Sequence, residues 1–342
     1  MKLGRTLLFC FLFALVVWIA IYRMRVESQL QMVSPDEVNR NVLLSEQDTI
    51  GRIEILDRVR KTEIILNKEN GRWFLEAPVR YPAEARVAEG LAITARMASR
   101  QPRLRGEKEW EEYGLARPDV EVRIDVPKKK AETLFIGSPA PFGNAVFARW
   151  DSERGYLLLP GEMKDVFGQG VYSFREKRVF RTPTPEIKMI YVEMGAQSYQ
   201  WKKDGGQWYW MEPLAKFGRK ISAKNMDRVL TALQNLYVKK FLDDNNRSRA
   251  ELGFFIIHDR IKIEPDFGRQ EIFHFGNEVP LESAYYGFRE DEETVFLIDR
   301  GKVIALIELL KRVEKDDGDR PAEEKDGATK EPAPSAATPS PL

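Results

Sequence analysis

The chain has 342 residues, 43% apolar and 31% charged, which at roughly 150 residues per domain suggests about two domains and excludes a wholly disordered or fibrous chain. Lys and Arg number 54 against 53 Asp and Glu, so no whole-chain field draws it toward nucleic acid. One Cys and two His argue against a disulfide scaffold or a zinc module.

Leu7 to Tyr22 is an unbroken apolar and aromatic run, preceded by Lys2 and Arg5 and followed by Arg23 and Arg25. It is short against the roughly 20 residues that cross a bilayer, but Thr6 and a snorkelling Arg23 lengthen it. No A-x-A pattern closes it. An uncleaved signal anchor over 7–22, after a short N-terminus 1–6, is therefore preferred to a cleaved signal peptide. Phe9 stands before Cys10 where a lipoprotein would have a small residue, so Cys10 reads as an apolar residue of the span. Residues 23–45 read as a stalk. Basic residues flank both sides, so charge bias alone does not orient the span.

The body then repeats itself at about 135 to 140 residues. Ile53 and Ile55, then Ile64 and Leu66, alternate with polar residues as in a half-buried hairpin. A turn at Glu69-Asn70-Gly71 leads into a Trp73 strand that ends at Pro78. Ala88, Leu91, Ala92, Ala95 and Ala98 form a small apolar helix stripe. Strands follow at 120–126, 132–136, 145–150 and 156–159, and a short helix near 161–167. Arg181-Thr182-Pro183-Thr184-Pro185 reads as a linker. The order then recurs: a turn at Asp204-Gly205-Gly206, a Trp208 strand ending at Pro213, and a helix capped by Ser222 with Met226, Val229, Leu230, Leu233 and Leu236 on one face. Ile261 and Ile263, strands at 271–275, 284–289 and 294–298, and a helix near 301–311 complete the second copy. Short motifs match in order: Asn70-Gly71-Arg72-Trp73 with Gly205-Gly206-Gln207-Trp208, Glu112-Tyr113-Gly114-Leu115 with Glu251-Leu252-Gly253-Phe254, Phe135-Ile136-Gly137 with His274-Phe275-Gly276, and Phe147-Ala148-Arg149 with Gly287-Phe288-Arg289. The expected fold class is α+β: two tandem homologous domains, 46–181 and 182–310, of mainly antiparallel sheet with one packing helix each, plus the N-terminal transmembrane helix. Residues 311–342, rich in charge, Pro, Ala and Ser, read as a disordered tail.

The apolar N-terminal run, the strand opening at Gly71-Arg72-Trp73, Glu112-Tyr113-Gly114-Leu115, Phe142-Gly143-Asn144-Ala145 and Ala148-Arg149 together resemble the bacterial domain-of-unknown-function family 4340. The resemblance covers roughly 50–310 and is clearest over 50–180. It implies a single-pass inner-membrane protein with its bulk on the periplasmic side, encoded beside ABC-transporter subunits of the gliding-motility type. That implies an accessory or scaffolding role with permease and ATPase subunits as partners, and supplies no catalytic residue. In the second copy Asn277-Glu278-Val279-Pro280 replaces Ser138-Pro139-Ala140-Pro141 and no F-G-N-A follows, so any loop binding falls to the first copy, through Phe142, Gly143, Asn144 and Arg149.

The residues point to no enzyme. His258 and His274 lie in unrelated contexts, and no Ser stands in G-x-S-x-G. No set of three or four zinc ligands is present. Glu290-Asp291-Glu292-Glu293 lacks calcium-loop spacing and reads as a solvated turn. Gly205-Gly206 precedes a strand rather than a helix, so it is a turn and not a phosphate loop. Lys128-Lys129-Lys130 and Lys202-Lys203 are short and sit near acids, which gives no nucleic-acid surface. No catalytic residue, cofactor or metal is expected. Tyr199, Trp201, Trp208, Tyr209 and Trp210 crowd one hairpin, Trp208 and Trp210 sharing a face. That sheet is either buried on both faces, the preferred reading, or offers Trp208 and Trp210 to a partner or sugar. The second case is the alternative function: an envelope glycan- or peptide-binding module, with weak hydrolase activity if a carboxylate pair faces a cleft.

Overall fold

A computed structural model of the chain describes Val17 and residues 31–32, 43–105, 109–141, 143–254 and 259–316. The expected anchor apart from Val17, Cys10, most of the stalk, Phe142, His258 and the expected tail beyond 316 lie outside the described residues. Among the described residues no helix is long and apolar enough to cross a membrane. The chain divides into two compact units, Met1–Lys177 and Arg178–Leu342. The described residues form two eight-stranded antiparallel sheets and five α-helices, an α+β architecture.

Unit 1 contains β1 (Gln31–Met32), β2 (Arg52–Asp57), β3 (Thr62–Glu69), β4 (Arg72–Ala77), β5 (Tyr81–Pro82), β6 (Leu104–Arg105), β7 (Val120–Asp125), β8 (Glu132–Pro139), β9 (Ala145–Trp150) and β10 (Leu157–Pro160). Its helices are α1 (Ala85–Ser99), α2 (Gly161–Phe167) and α3 (Val171–Phe174). The large sheet runs β10-β9-β8-β7-β2-β3-β4-β5, and β1 pairs with β6 apart from it. Period-two alternation sends Ile53, Ile55, Ile64, Leu66, Trp73, Val122, Ile124 and Trp150 into one core with α1 and Phe167. The alanines of the α1 stripe are buried to within 1%, so small side chains bring this helix close to the sheet. Trp73 Nε1 donates to Glu89 Oε1 of α1 at 2.8 Å, which satisfies the one polar atom of a buried ring. The other face of the central strands is polar and laced with ion pairs, such as Arg52 with Glu54 at 2.8 Å and with Glu76 at 2.6 Å.

Unit 2 contains β11 (Ile187–Met194), β12 (Gln197–Asp204), β13 (Gln207–Glu212), β14 (Val238–Phe241), β15 (Arg260–Pro265), β16 (Glu271–Val279), β17 (Ala284–Arg289) and β18 (Val295–Asp299), with α4 (Ala223–Gln234) and α5 (Arg300–Asp316). Its sheet runs β13-β12-β11-β15-β16-β17-β18-β14. From β4, unit 1 reads β4-β3-β2-β7-β8-β9-β10; from β13, unit 2 reads β13-β12-β11-β15-β16-β17-β18, the same connectivity. The edges differ: β5 lies beside β4 in unit 1, and β14 beside β18 in unit 2. The α4 stripe packs on the sheet with α5. Ser222 stands at the helix N-cap, but its hydroxyl makes no capping bond. The last helix runs on to Asp316 with Val313 buried, past residue 311 where the composition change put the start of the tail. Tyr199 Oη donates to Glu314 Oε2 at 2.7 Å and helps hold that last turn.

One sequence match is displaced by a residue. Ile136 faces Ala148 across β8–β9, and Phe275 faces Gly287 across β16–β17. By ladder position Arg149 therefore corresponds to Phe288, and Trp150 to Arg289. A slip of one residue reverses the face: Arg149 points away from the helices, whereas Arg289 is buried at 3% exposure.

Candidate functional site

Of the motifs that carry the resemblance, Glu112 to Leu115, Gly143 to Ala145 and Ala148-Arg149 lie at the β8–β9–β10 end of unit 1, whereas Gly71-Arg72-Trp73 lies at β4 near the other end of the sheet. The site at the β8–β9–β10 end is on the sheet face away from the helices. There Phe135, Phe147 and Leu158 alternate outward and pack against Leu104, Tyr113, Leu115 and Tyr156. Trp110 to Leu115 forms a tight turn, with Leu115 N bonding to Trp110 O at 2.8 Å and Gly114 at φ +67°, a conformation that Gly adopts without strain. Ser138 N donates to Tyr113 O at 3.0 Å, so the turn is hydrogen-bonded to β8 where its register with β9 shifts. The Tyr113 and Tyr156 rings stack at 4.7 Å, and Phe147 meets Tyr113 edge-on at 4.8 Å. Burial, reinforced by the neighbouring Tyr113, pushes the Tyr156 phenol up to about 12. The E-Y-G-L segment is thus a cover that seals the second face of the sheet.

Arg149 lies on the same face. Its guanidinium sits 4.4 Å from the Phe135 ring centre and 5.3 Å from that of Trp110. Burial pushes its pKa below the ordinary arginine value, yet an arginine stays charged at neutral pH. Such stacking is worth about 1–2 kcal/mol when partly desolvated. We expect Arg149→Ala to lower unit-1 stability by about 2 kcal/mol, read by urea unfolding, through lost packing as well as lost charge. Gly143 is exposed at φ +75°. Asn144 holds the start of α2: its backbone O accepts from Gly161 N at 2.8 Å, and its Nδ2 donates to Glu162 Oε1 at 2.8 Å. Of the F-G-N-A residues, Phe142 lies outside the described residues, and the rest form a hairpin turn pinned to a helix.

Unit 2 repeats the arrangement with other side chains. Leu252, Phe288 and Val295 are buried together with Phe254 against them. Gly253 has φ +88°, and Asn277 N donates to Leu252 O at 2.8 Å. Phe288 lies between the Arg249 guanidinium, 4.2 Å from its ring centre, and the His274 ring, stacked at 4.6 Å. At the three positions that correspond along the two ladders, unit 1 stacks Trp110, Arg149 and Phe135, and unit 2 stacks Arg249, Phe288 and His274, with the cation and the aromatic in different places. Burial pushes the His274 imidazole below its usual value, against the pull of Glu290, 3.6 Å away.

Trp208 and Trp210 do not lie at a surface. They are 5% and 0% exposed and sit with Tyr199 and Trp201 in the core beneath α4 and α5, Trp201 meeting Trp210 edge-on at 5.5 Å. Tyr209 alternates to the opposite, half-buried face. The hairpin carries its tryptophans on one face only, and that face is filled by helices, so Trp208 and Trp210 are not offered to a partner or sugar. Among the described residues no three His, Cys, Asp or Glu side chains are grouped to hold a metal ion. Sequence reasoning missed Trp110, Phe135 and Arg249 as partners of the stack. The constant offset between the E-Y-G-L and E-L-G-F segments was the signal that could have found them.

A search of curated proteins and a search of solved structures each return no match. The family model described as a domain of unknown function, DUF4340, matches residues 73–254, from the Trp73 strand through the cover segment of unit 2. More than half of the chain lies within that match, and the chain belongs to the DUF4340 family.

Proposed function

We propose that this chain is a non-enzymatic, membrane-anchored envelope protein built from two tandem homologous modules, 46–181 and 182–310, that serves as an accessory or scaffolding component of an ABC-type transport complex. The observation that carries the reading is what the family motifs do. Glu112 to Leu115, Asn144 and Arg149 are engaged in closing and bracing a sheet, which suits a rigid module that presents outer surfaces to partner subunits. The duplication is supported by the shared strand connectivity and by the exchanged stack of Trp110, Arg149 and Phe135 against Arg249, Phe288 and His274. Compensating changes at three touching positions fit descent from one ancestral module.

The run 7–22 would hold the protein in the inner membrane as an uncleaved signal anchor, with the body on the periplasmic side. The transporter partnership follows from the family resemblance drawn from the motifs. Crosslinking native membranes, then purifying the tagged full chain in mild detergent, tests it: permease and ATPase subunits should accompany the chain. Recovery of the chain without any transporter subunit would overturn the partnership. The burial of Trp208 and Trp210 counts against the glycan reading.

A further inference from the structure

The two units differ most where β4 and β13 are left behind. In unit 1 the chain takes six residues, Pro78 to Ala83, before its backbone returns to bond Trp73 O at 3.0 Å. In unit 2 it takes nine, Pro213 to Ile221, before the equivalent bond to Trp208 O at 2.9 Å. The shorter loop is packed and neutral: Val79 lies against the core, and Arg80 pairs with Glu69 at 3.1 Å. The longer loop reads Pro-Leu-Ala-Lys-Phe-Gly-Arg-Lys-Ile and leaves Leu214 86% and Phe217 60% exposed.

These apolar side chains are presented by an ordered turn. Lys216 N bonds to Pro213 O at 2.9 Å, Phe217 N to Leu214 O at 3.1 Å, and Gly218 N to Trp210 O at 2.8 Å. The Lys216 ammonium lies 4.7 Å from the Trp210 ring centre and donates to Glu314 O, which fastens the loop to the core. From 213 to 224 there are four cations, Lys216, Arg219, Lys220 and Lys224, and no acid. Arg219, Lys220 and Lys224 are exposed and pair with no carboxylate among the described residues. Phe267 and Leu281, 91% and 102% exposed, each stand beside an acid: Phe267 follows Asp266, and Leu281 precedes Glu282.

We propose that the Pro213–Lys220 loop is a contact for an anionic bilayer surface, with Leu214 and Phe217 entering the headgroup boundary and Arg219, Lys220 and Lys224 facing lipid phosphates. Leu and Phe beside Lys and Arg is the chemistry of interfacial insertion. Phosphate-rich surfaces attract such cations only at short range. An ordered turn with two large, strongly exposed apolar tips suits a deformable lipid interface better than the flat complementary face that a protein partner needs. The order of the turn lowers the conformational cost of docking.

The inference stands apart from the anchor reading, and one experiment separates them. The full chain, with Cys10→Ser and Ala215→Cys carrying an environment-sensitive fluorophore, is reconstituted into phosphatidylcholine vesicles with or without phosphatidylglycerol. Resistance of the chain to alkaline extraction reports on 7–22. The fluorophore reports on the loop. We expect a blue shift and quenching by nitroxide-labelled lipid only when phosphatidylglycerol is present. Arg219→Gln with Lys220→Gln should lower the inserted-to-free ratio about 30-fold at low salt, and Leu214→Ser with Phe217→Ser should abolish quenching. Emission that ignores lipid charge, or a shift that appears only with added membrane proteins, would overturn the proposal in favour of solvent exposure or of an acidic protein face.

Discussion

Gly137→Ala is expected to lower the stability of unit 1 by about 3 kcal/mol or more, because there is nowhere for a methyl group to go. A Cβ at Gly137 would lie 2.4 Å from Tyr113 O and 2.9 Å from the carbonyl of Gly114. Both neighbours are backbone, held by the Ser138 N bond to Tyr113 O, so neither can swing aside. Gly276→Ala should do the same to unit 2, where Leu252 O is 2.4 Å away. Gly71→Ala is the control. It has φ +81° but open space around it, so it carries only the cost of a left-handed turn, about 1 kcal/mol. Urea unfolding read by hydrogen exchange, which resolves the two units, checks the comparison. Equal effects at Gly71 and Gly137 would mean that the cover segment is not seated on β8.

Arg289→Ala should destabilise unit 2 by about 3–5 kcal/mol, since removing one partner of a buried ionic network strands the others. The Arg289 side chain is 4% exposed. It donates to both Asp291 carboxylate oxygens at 3.1 Å and to Val179 O, and lies 3.5 Å from Glu292 and 3.7 Å from Glu271. Glu271 also accepts from Arg181 N at 2.9 Å, and Arg181 pairs with Glu292 at 2.6 Å. The network fastens the first residues of unit 2 to β16 and β17. Burial works against the charge of Asp291, but the hydrogen bonds and charge of Arg289 outweigh it and hold its pKa below the ordinary aspartate value. A depressed carboxylate stabilises the fold above its unfolded pKa, and that contribution is lost as pH falls through the folded one. Unfolding followed against pH should therefore show an acid limb that shallows in Arg289→Ala. A variant with unchanged stability and an unchanged acid limb would contradict the network.

The contrast between Arg149 and Arg289 shows where sequence reading stopped. Both follow an apolar residue in corresponding strands, and matching them by letter was reasonable. The ladders pair Arg149 with Phe135 and Arg289 with Phe273, so one faces outward over Phe135 and the other is buried among carboxylates. Alternation predicts that two faces exist, and the long-range pairing decides which is which. The Trp208–Trp210 hairpin follows the same logic. Its shared face was legible from period two, but the filling of that face by α4 and α5 depends on helices distant in the chain. The Leu214 and Phe217 loop was written in an acid-free basic stretch with two large apolar residues, a pattern that turn chemistry alone does not single out.

By itself the sequence determined the order of the longer strands and helices, though not β1, β5, β6, β14 or α3, the alternation of the strands, the apolar stripes of α1 and α4, and the family to which the chain belongs. Each of these rests on local periodicity or on short contiguous motifs. Only the tertiary structure decided that E-Y-G-L and E-L-G-F are covers for a second sheet face, that the tryptophans are core, and that the cation and the aromatic exchange places between Arg149 and Phe288. Those facts depend on which residues are brought together by strand pairing, as Arg149 is over Phe135 and His274 against Phe288, and no local pattern encodes that pairing.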